Sequence, residues 1–150
     1  VRSDGLLAAL SGLRGAGDIT AAVLVDVESG LVLDGYADGP DAPDLELLGA
    51  AHAELLGAAA ALVGTGAEVE VLVAHGEDAH HVLRLVPDPH GDRLGLSLVV
   101  RGSRRRAARL LGRLRAVPVA ALTAGPALHR RPVRGAWTPA WPAGADPAAR

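Results

Sequence analysis

The sequence predicts an α+β sandwich, an antiparallel sheet covered by helices, with the element order α-ββ-α-βββ-α. Three observations carry that prediction. Between about Asp4 and Ala116 the hydrophobic period changes in an ordered way, from helical spacing to strand alternation and back. The strand-like segments come first as a pair joined by a tight turn and then as a run of three. Side chains suited to catalysis are scarce throughout, which points to a protein that works through its surfaces.

Each element has a local reason. Ser3 or Asp4 can cap a short first helix whose apolar positions Leu6, Leu7, Leu10 and Leu13 recur at helical spacing, and Gly15 and Gly17 end it. Ile19 to Val27 is nearly all apolar, the pattern of a central strand covered on both faces. Glu28, Ser29 and Gly30 turn the chain, and Leu31 to Tyr36 returns as the hairpin partner. Gly39, Pro40 and Pro43 mark a loop, and Asp44 is placed to cap the next helix.

Leu45 to Gly64 is the longest element. Leu45, Leu48, His52, Leu55, Ala59 and Leu62 form one stripe, widened by Leu47, Leu56 and Val63, and a second line runs through Gly49, Ala53, Gly57 and Ala61. Two glycines inside a helix cost about 1 kcal/mol each relative to alanine, so close approach of another backbone is expected to offset them. Two apolar sides predict self-association, one side for the domain's own sheet and one for a second copy. The expected dimer residues are Leu48, Gly49, His52, Ala53, Leu55, Gly57 and Ala61, with Val69 and Val71 of the next strand. GC-rich codon usage accounts for the same Ala and Gly without an interface, so both readings stand.

Three strands come after it: Ala67–Ala74, where Glu68 and Glu70 alternate with valines, then His80–Val86 and Arg93–Arg101. Arg84 interrupts the apolar side of the second, as at a solvated face, and the segment between Pro87 and Asp92 is a turn by composition. Ser103 caps a last helix in which Leu110, Leu111 and Leu114 face the sheet, while Arg104, Arg105, Arg106, Arg109, Arg113 and Arg115 crowd the rest. Beyond Val117 the periodicity stops and six prolines appear, so the expected organisation is a domain over 1–116 and a flexible tail over 117–150. Trp137 and Trp141 lie in that tail, either as anchors for a partner or simply mobile.

The 150 residues suit one domain, and 49% of them are hydrophobic, enough for a true core. There is no Cys, which excludes disulfides and thiol chemistry. No uninterrupted apolar run reaches about 18 residues and the start lacks a signal-peptide layout, so no membrane span is expected and the cytoplasm is the expected compartment. The net charge of -2 conceals a division: residues 1–100 hold 16 acidic residues against four arginines, and residues 101–150 hold 11 arginines against one aspartate. The basic end either relieves the acidic loops or meets an acidic partner.

Catalytic and ligand constellations are not found. His75, His80 and His81 invite a metal reading, but neighbours on a strand point to opposite faces, so His80 and His81 cannot both join His75. His52 is read as a packed or interfacial histidine, or as a proton switch. No nucleophile elbow or phosphate loop exists, and Asp26 and Asp34 on paired strands are far better explained by solvation at a hairpin end than by a carboxylate dyad. The arginine-rich helix has no interleaved aromatic residues, which argues against nucleic acid. No catalytic, cofactor or metal residue is therefore expected, and the chain is expected not to be an enzyme.

The stretch from Leu13 to Leu33, with Ala21, Ala22, Val23, Leu24, Val25 and Asp26, then a glycine turn, then Leu31, Val32 and Leu33, resembles the first hairpin of the roadblock/dynein light chain family. The Ala/Leu/Gly-rich helix and the three-strand finish with a terminal helix are similar to it as well. The resemblance covers about residues 4–116 and departs in the basic last helix and the tryptophan-bearing tail. It implies a five-stranded antiparallel sheet with the long helix on one face and the terminal helices on the other. It also implies dimerisation through the long helix and the third strand, and a non-catalytic role as scaffold or regulator of a small Ras-like GTPase. On that reading Arg104, Arg105, Arg109, Arg113, Trp137 and Trp141 are the expected partner contacts. The alternatives are a profilin-like sensory module with a ligand pocket between sheet and helix, and a basic-helix binder of an anionic surface.

Overall fold

The computed structural model describes residues 4–13, 18–64, 68–87 and 93–118. The elements follow the expected order: α1 (Asp4–Ser11), β1 (Asp18–Asp26), β2 (Val32–Ala37), α2 (Leu45–Val63), β3 (Glu70–His75), β4 (Ala79–Pro87), β5 (Arg93–Arg101) and α3 (Arg104–Leu114). The five strands form one antiparallel sheet in the order β2-β1-β5-β4-β3. β1 is paired on both sides, and Ala21 to Val25 are buried, as its unbroken apolar run requires. The last strand, β5, occupies the centre, which leaves β2 and β3 as the edges.

Strand alternation divides the core into two layers. Leu24, Leu96, Leu98, Val82 and Val86 point to the side covered by α1 and α3, where they meet Leu6, Leu10, Leu13, Leu110 and Leu114. Leu83, Val69 and Val27 point to the other side and pack on Leu56 of α2. The long helix thus covers one face and the two terminal helices the other.

Local chemistry sets the ends of the elements. Asp44 caps α2, its carboxylate accepting from the backbone N–H of Glu46 at 2.9 Å and Leu47 at 3.1 Å. Ser103 caps α3 through the N–H of Arg106. In the first hairpin Asp26 accepts from the N–H groups of Glu28 and Ser29, and Gly30 takes a φ of 71°, a conformation costly for other residues. Asp34 accepts from the N–H of Gly35, so both aspartates serve backbone groups rather than each other.

One expectation is corrected on β4. Arg84 is not on a solvated side: it is half-buried beneath α3, and its guanidinium donates to the carbonyl of Leu114 at 2.8 Å. The last carbonyls of a helix lack intrahelical donors and carry the negative end of its dipole, so a cation there satisfies both needs. Gly15, Gly17, the expected turn over 88–92 and the tail with Trp137 and Trp141 lie outside the described residues.

Candidate functional site

α2 crosses all five strands, packing on β2 near its start and on β3 and β4 towards its end. Its inner line is Gly49, His52, Ala53 and Leu56. Gly49 sits on Val32, where a methyl group would collide with the valine Cγ2, and Ala53 is buried beside it. Opposite, Gly95 of β5 makes room for Leu56, since a side chain there would lie 2.6 Å from the leucine Cδ1. Close helix-to-sheet packing within one chain thus offsets Gly49, whereas a methyl group added at Gly57 would meet nothing.

This placement revises the expected interface. Gly49, His52, Ala53 and Val69 are buried in the protomer's own core, so a second copy cannot reach them while α2 stays docked. Leu48, Gly57 and Val71 are half-buried, and Leu55 and Ala61 are exposed. The bare side of α2 is instead a leucine stripe: Leu47 is 72% exposed, Leu55 41% and Leu62 87%, with exposed Ala51 and Ala58 between them. The small line faces inward only over Gly49 and Ala53, where small residues allow the closer approach to a sheet, and it leaves the sheet at Gly57 and Ala61.

Beneath the helix runs a polar line that only the folded chain assembles. His52 Nδ1 lies 2.7 Å from Ser97 Oγ on β5, and His52 Nε2 lies 2.8 Å from His81 Nδ1 on β4. His81 Nε2 lies 3.3 Å from Nδ1 of exposed His75 on β3. Burial, and then the neighbouring His81, push the His52 imidazole down to about 4. Burial and then His75 lower His81 as well. The chain reaches from the core to the edge strand.

That geometry bears on metal binding. Two nitrogens on one tetrahedral zinc stand roughly 3.3 Å apart; the His52–His81 spacing of 2.8 Å is that of a direct hydrogen bond, and the His81–His75 pair at 3.3 Å has no third ligand beside it among the described residues. His80 points away from His75, as alternation requires, and its buried Nδ1 finds no hydrogen-bond partner among the described residues. Ser97 is the one hydroxyl within β5, a signal that sequence reasoning missed, and its pairing with His52 comes only from the fold.

α3 presents the opposite surface. Ala107, Leu110 and Leu114 are buried, while Arg104, Arg105, Arg106, Arg109 and Arg113 are exposed. Just past the helix, Arg115 closes a two-pronged ion pair, both contacts at 2.6 Å, with Glu70 on β3. That hydrogen-bonded pairing holds the Glu70 carboxyl below its ordinary range.

Two further expectations meet the geometry. α2, at 19 residues, is long and apolar enough to cross a membrane by length and composition alone. Its leucines and alanines supply that apolarity despite Glu46, Glu54 and His52, and one side of it is docked on the sheet. A recess of about 410 Å³ lies between Thr20, Arg101 and the loop from Asp38 to Pro43, not between sheet and helix as a sensory module would need.

A five-stranded antiparallel sheet with one long helix on one face and two terminal helices on the other is the architecture that the roadblock resemblance implies. Among solved structures, the chain is similar to the gliding protein MglB from Thermus thermophilus, with a TM-score of 0.63 and 18% identity over 82% of this chain and 92% of that one. It is also similar to MglB in a tetrameric arrangement, with a TM-score of 0.54 and 19% identity over 81% and 95%. A third similar structure is MglC from Myxococcus xanthus, with a TM-score of 0.50 and 20% identity over 81% and 99%. At these identities the similarity establishes the fold. No protein-family model matches the sequence, and no curated protein matches it.

Proposed function

We propose that this domain is a homodimeric, non-catalytic regulator of a small Ras-like GTPase, acting in the cytoplasm as scaffold or activating partner. The observation that carries it is the leucine stripe Leu47–Leu55–Leu62, bare on a helix whose far end lies beside the edge strand β3. An apolar stripe and an unpaired strand edge are both liabilities in a lone subunit. A second copy laid along β3 and α2 covers both at once. The roadblock resemblance supports the GTPase as partner, and the tetrameric arrangement of one MglB structure supports self-association of the fold.

The test has two arms. Light-scattering mass at micromolar concentration is expected to be twice that of one chain, and Leu55→Glu with Leu62→Glu to return it to one chain with the helical signal intact. Capture by a Ras-like GTPase encoded near this chain is expected to depend on whether that GTPase holds GDP or a GTP analogue. A single-chain mass for the natural sequence removes the dimer; nucleotide-independent or absent capture removes the partner.

A further inference from the structure

The α3 surface is left unused by that reading, and its electrostatics are unfavourable as they stand. Arg104, Arg105 and Arg106 occupy the first turn, at the positive end of the helix dipole, with no acidic residue there to balance them. Arg105, Arg109 and Arg113 then follow one another at four-residue spacing on the outward side, where like charges repel. Among the described residues none of these five has a carboxylate partner. Codon bias explains arginine in place of lysine but not why the positive charge gathers at the wrong end of a helix. A local rule broken without internal compensation marks a surface that is completed from outside.

We propose that Arg104, Arg105, Arg106, Arg109 and Arg113 form a docking surface for an anionic phospholipid bilayer. Shape and composition select this occupant. The apolar side of α3 is committed to the core through Ala107, Leu110 and Leu114, so the helix lies flat and offers a low charged face rather than a projecting rod. A helix held that way cannot enter a DNA major groove. From Arg93 to Pro118 the chain has no aromatic ring, amide side chain or carboxylate to stack on bases or read their edges. A specific protein interface would place apolar or aromatic anchors at its centre, yet only Ala108 and Gly112 lie between the exposed arginines. What remains is summed charge, which suits a flat, diffuse, negative plane.

The inference goes beyond the GTPase reading and stands without it, because each single chain carries the full stripe. If two copies do join at β3, both α3 helices lie on the side of the sheet away from α2, and the charged face is doubled.

Vesicle co-sedimentation of the full chain tests the proposal, comparing phosphatidylcholine alone with phosphatidylcholine mixed with phosphatidylglycerol. Binding is expected only to the mixed vesicles, and to vanish at molar salt. R105A/R109A/R113A is expected to weaken it about 100-fold, and Arg105→Glu alone, which suits the helix dipole and keeps the fold, about tenfold or more. Arg93→Ala, removing an arginine that pairs with Glu28 away from α3, is expected to leave it unchanged. Equal binding to neutral vesicles, unaltered binding by Arg105→Glu, or tighter binding to duplex DNA at equal phosphate concentration overturns the proposal. Subunit mass is read in the same samples, so loss of the dimer is distinguished from loss of the membrane surface.

Discussion

α2 and α3 cover opposite faces of one sheet by inverse means. α2 turns Gly49, His52, Ala53 and the single leucine Leu56 inward and leaves Leu47, Leu55 and Leu62 in water, whereas α3 turns leucines inward and leaves arginines in water. Gly49 and Ala53 bring α2 close to the sheet, and the buried Leu56 holds it there. α3 is held by side-chain bulk through Leu110 and Leu114, with Arg84 fastening its last carbonyl. The difference teaches that an apolar helix can be docked without using its greasiest side, which then remains available to another protein.

The sharpest way to break this comparison is to separate inner from outer leucines on α2. Leu56→Ala removes a fully buried side chain and is expected to cost about 2–5 kcal/mol in denaturant unfolding. Leu62→Ala, on the bare stripe, is expected to change the stability of a lone subunit by less than about 0.5 kcal/mol while weakening self-association. Equal losses at the two positions would mean that the helix is not oriented as described.

A slightly smaller effect concerns the histidine line, which exists under α2 and not under α3. His52 is neutral when folded and is held down to about 4, while the unfolded chain takes up a proton near 6.5. Stability is therefore full above about pH 6.5 and is lost as pH falls towards 4, by roughly 3 kcal/mol in total. His81 shifts in the same direction. His52→Leu is expected to flatten most of that slope in urea midpoints measured across the window. An unchanged slope would assign the acid sensitivity to other groups.

The smallest effect has the opposite sign. Arg105→Glu places an acid at the positive end of α3 and is expected to raise Tm by roughly 1–3 °C, read by calorimetry at low salt. A variant that gains stability while losing vesicle binding would separate the purpose of α3's charge from its packing. A fall in Tm would show that the first-turn arginines are structural.

Much of the fold was legible because its signals are local. Apolar period, the caps at Asp44 and Ser103 and the turn around Gly30 act within a few residues, and each was placed correctly from the chain alone. The bounds differed modestly, as where β3 starts at Glu70, the first residue of its ladder with β4. The candidate surfaces were half legible. That α2 has two apolar sides and that α3 is basic could be read directly, but which side of α2 faces inward could not.

What the sequence by itself determined is the kind and order of the elements and the sign of charge on the last helix, because these depend on neighbours along the chain. Only the tertiary structure decided that β5 sits at the centre of the sheet, that Arg84 serves α3, and that His52, His81 and His75 form one line from three elements. It also decided the rotation of α2. A helix with two apolar sides has no single period to orient it, so steric fit against Val32 and Leu56's seat at Gly95 settled which side went in.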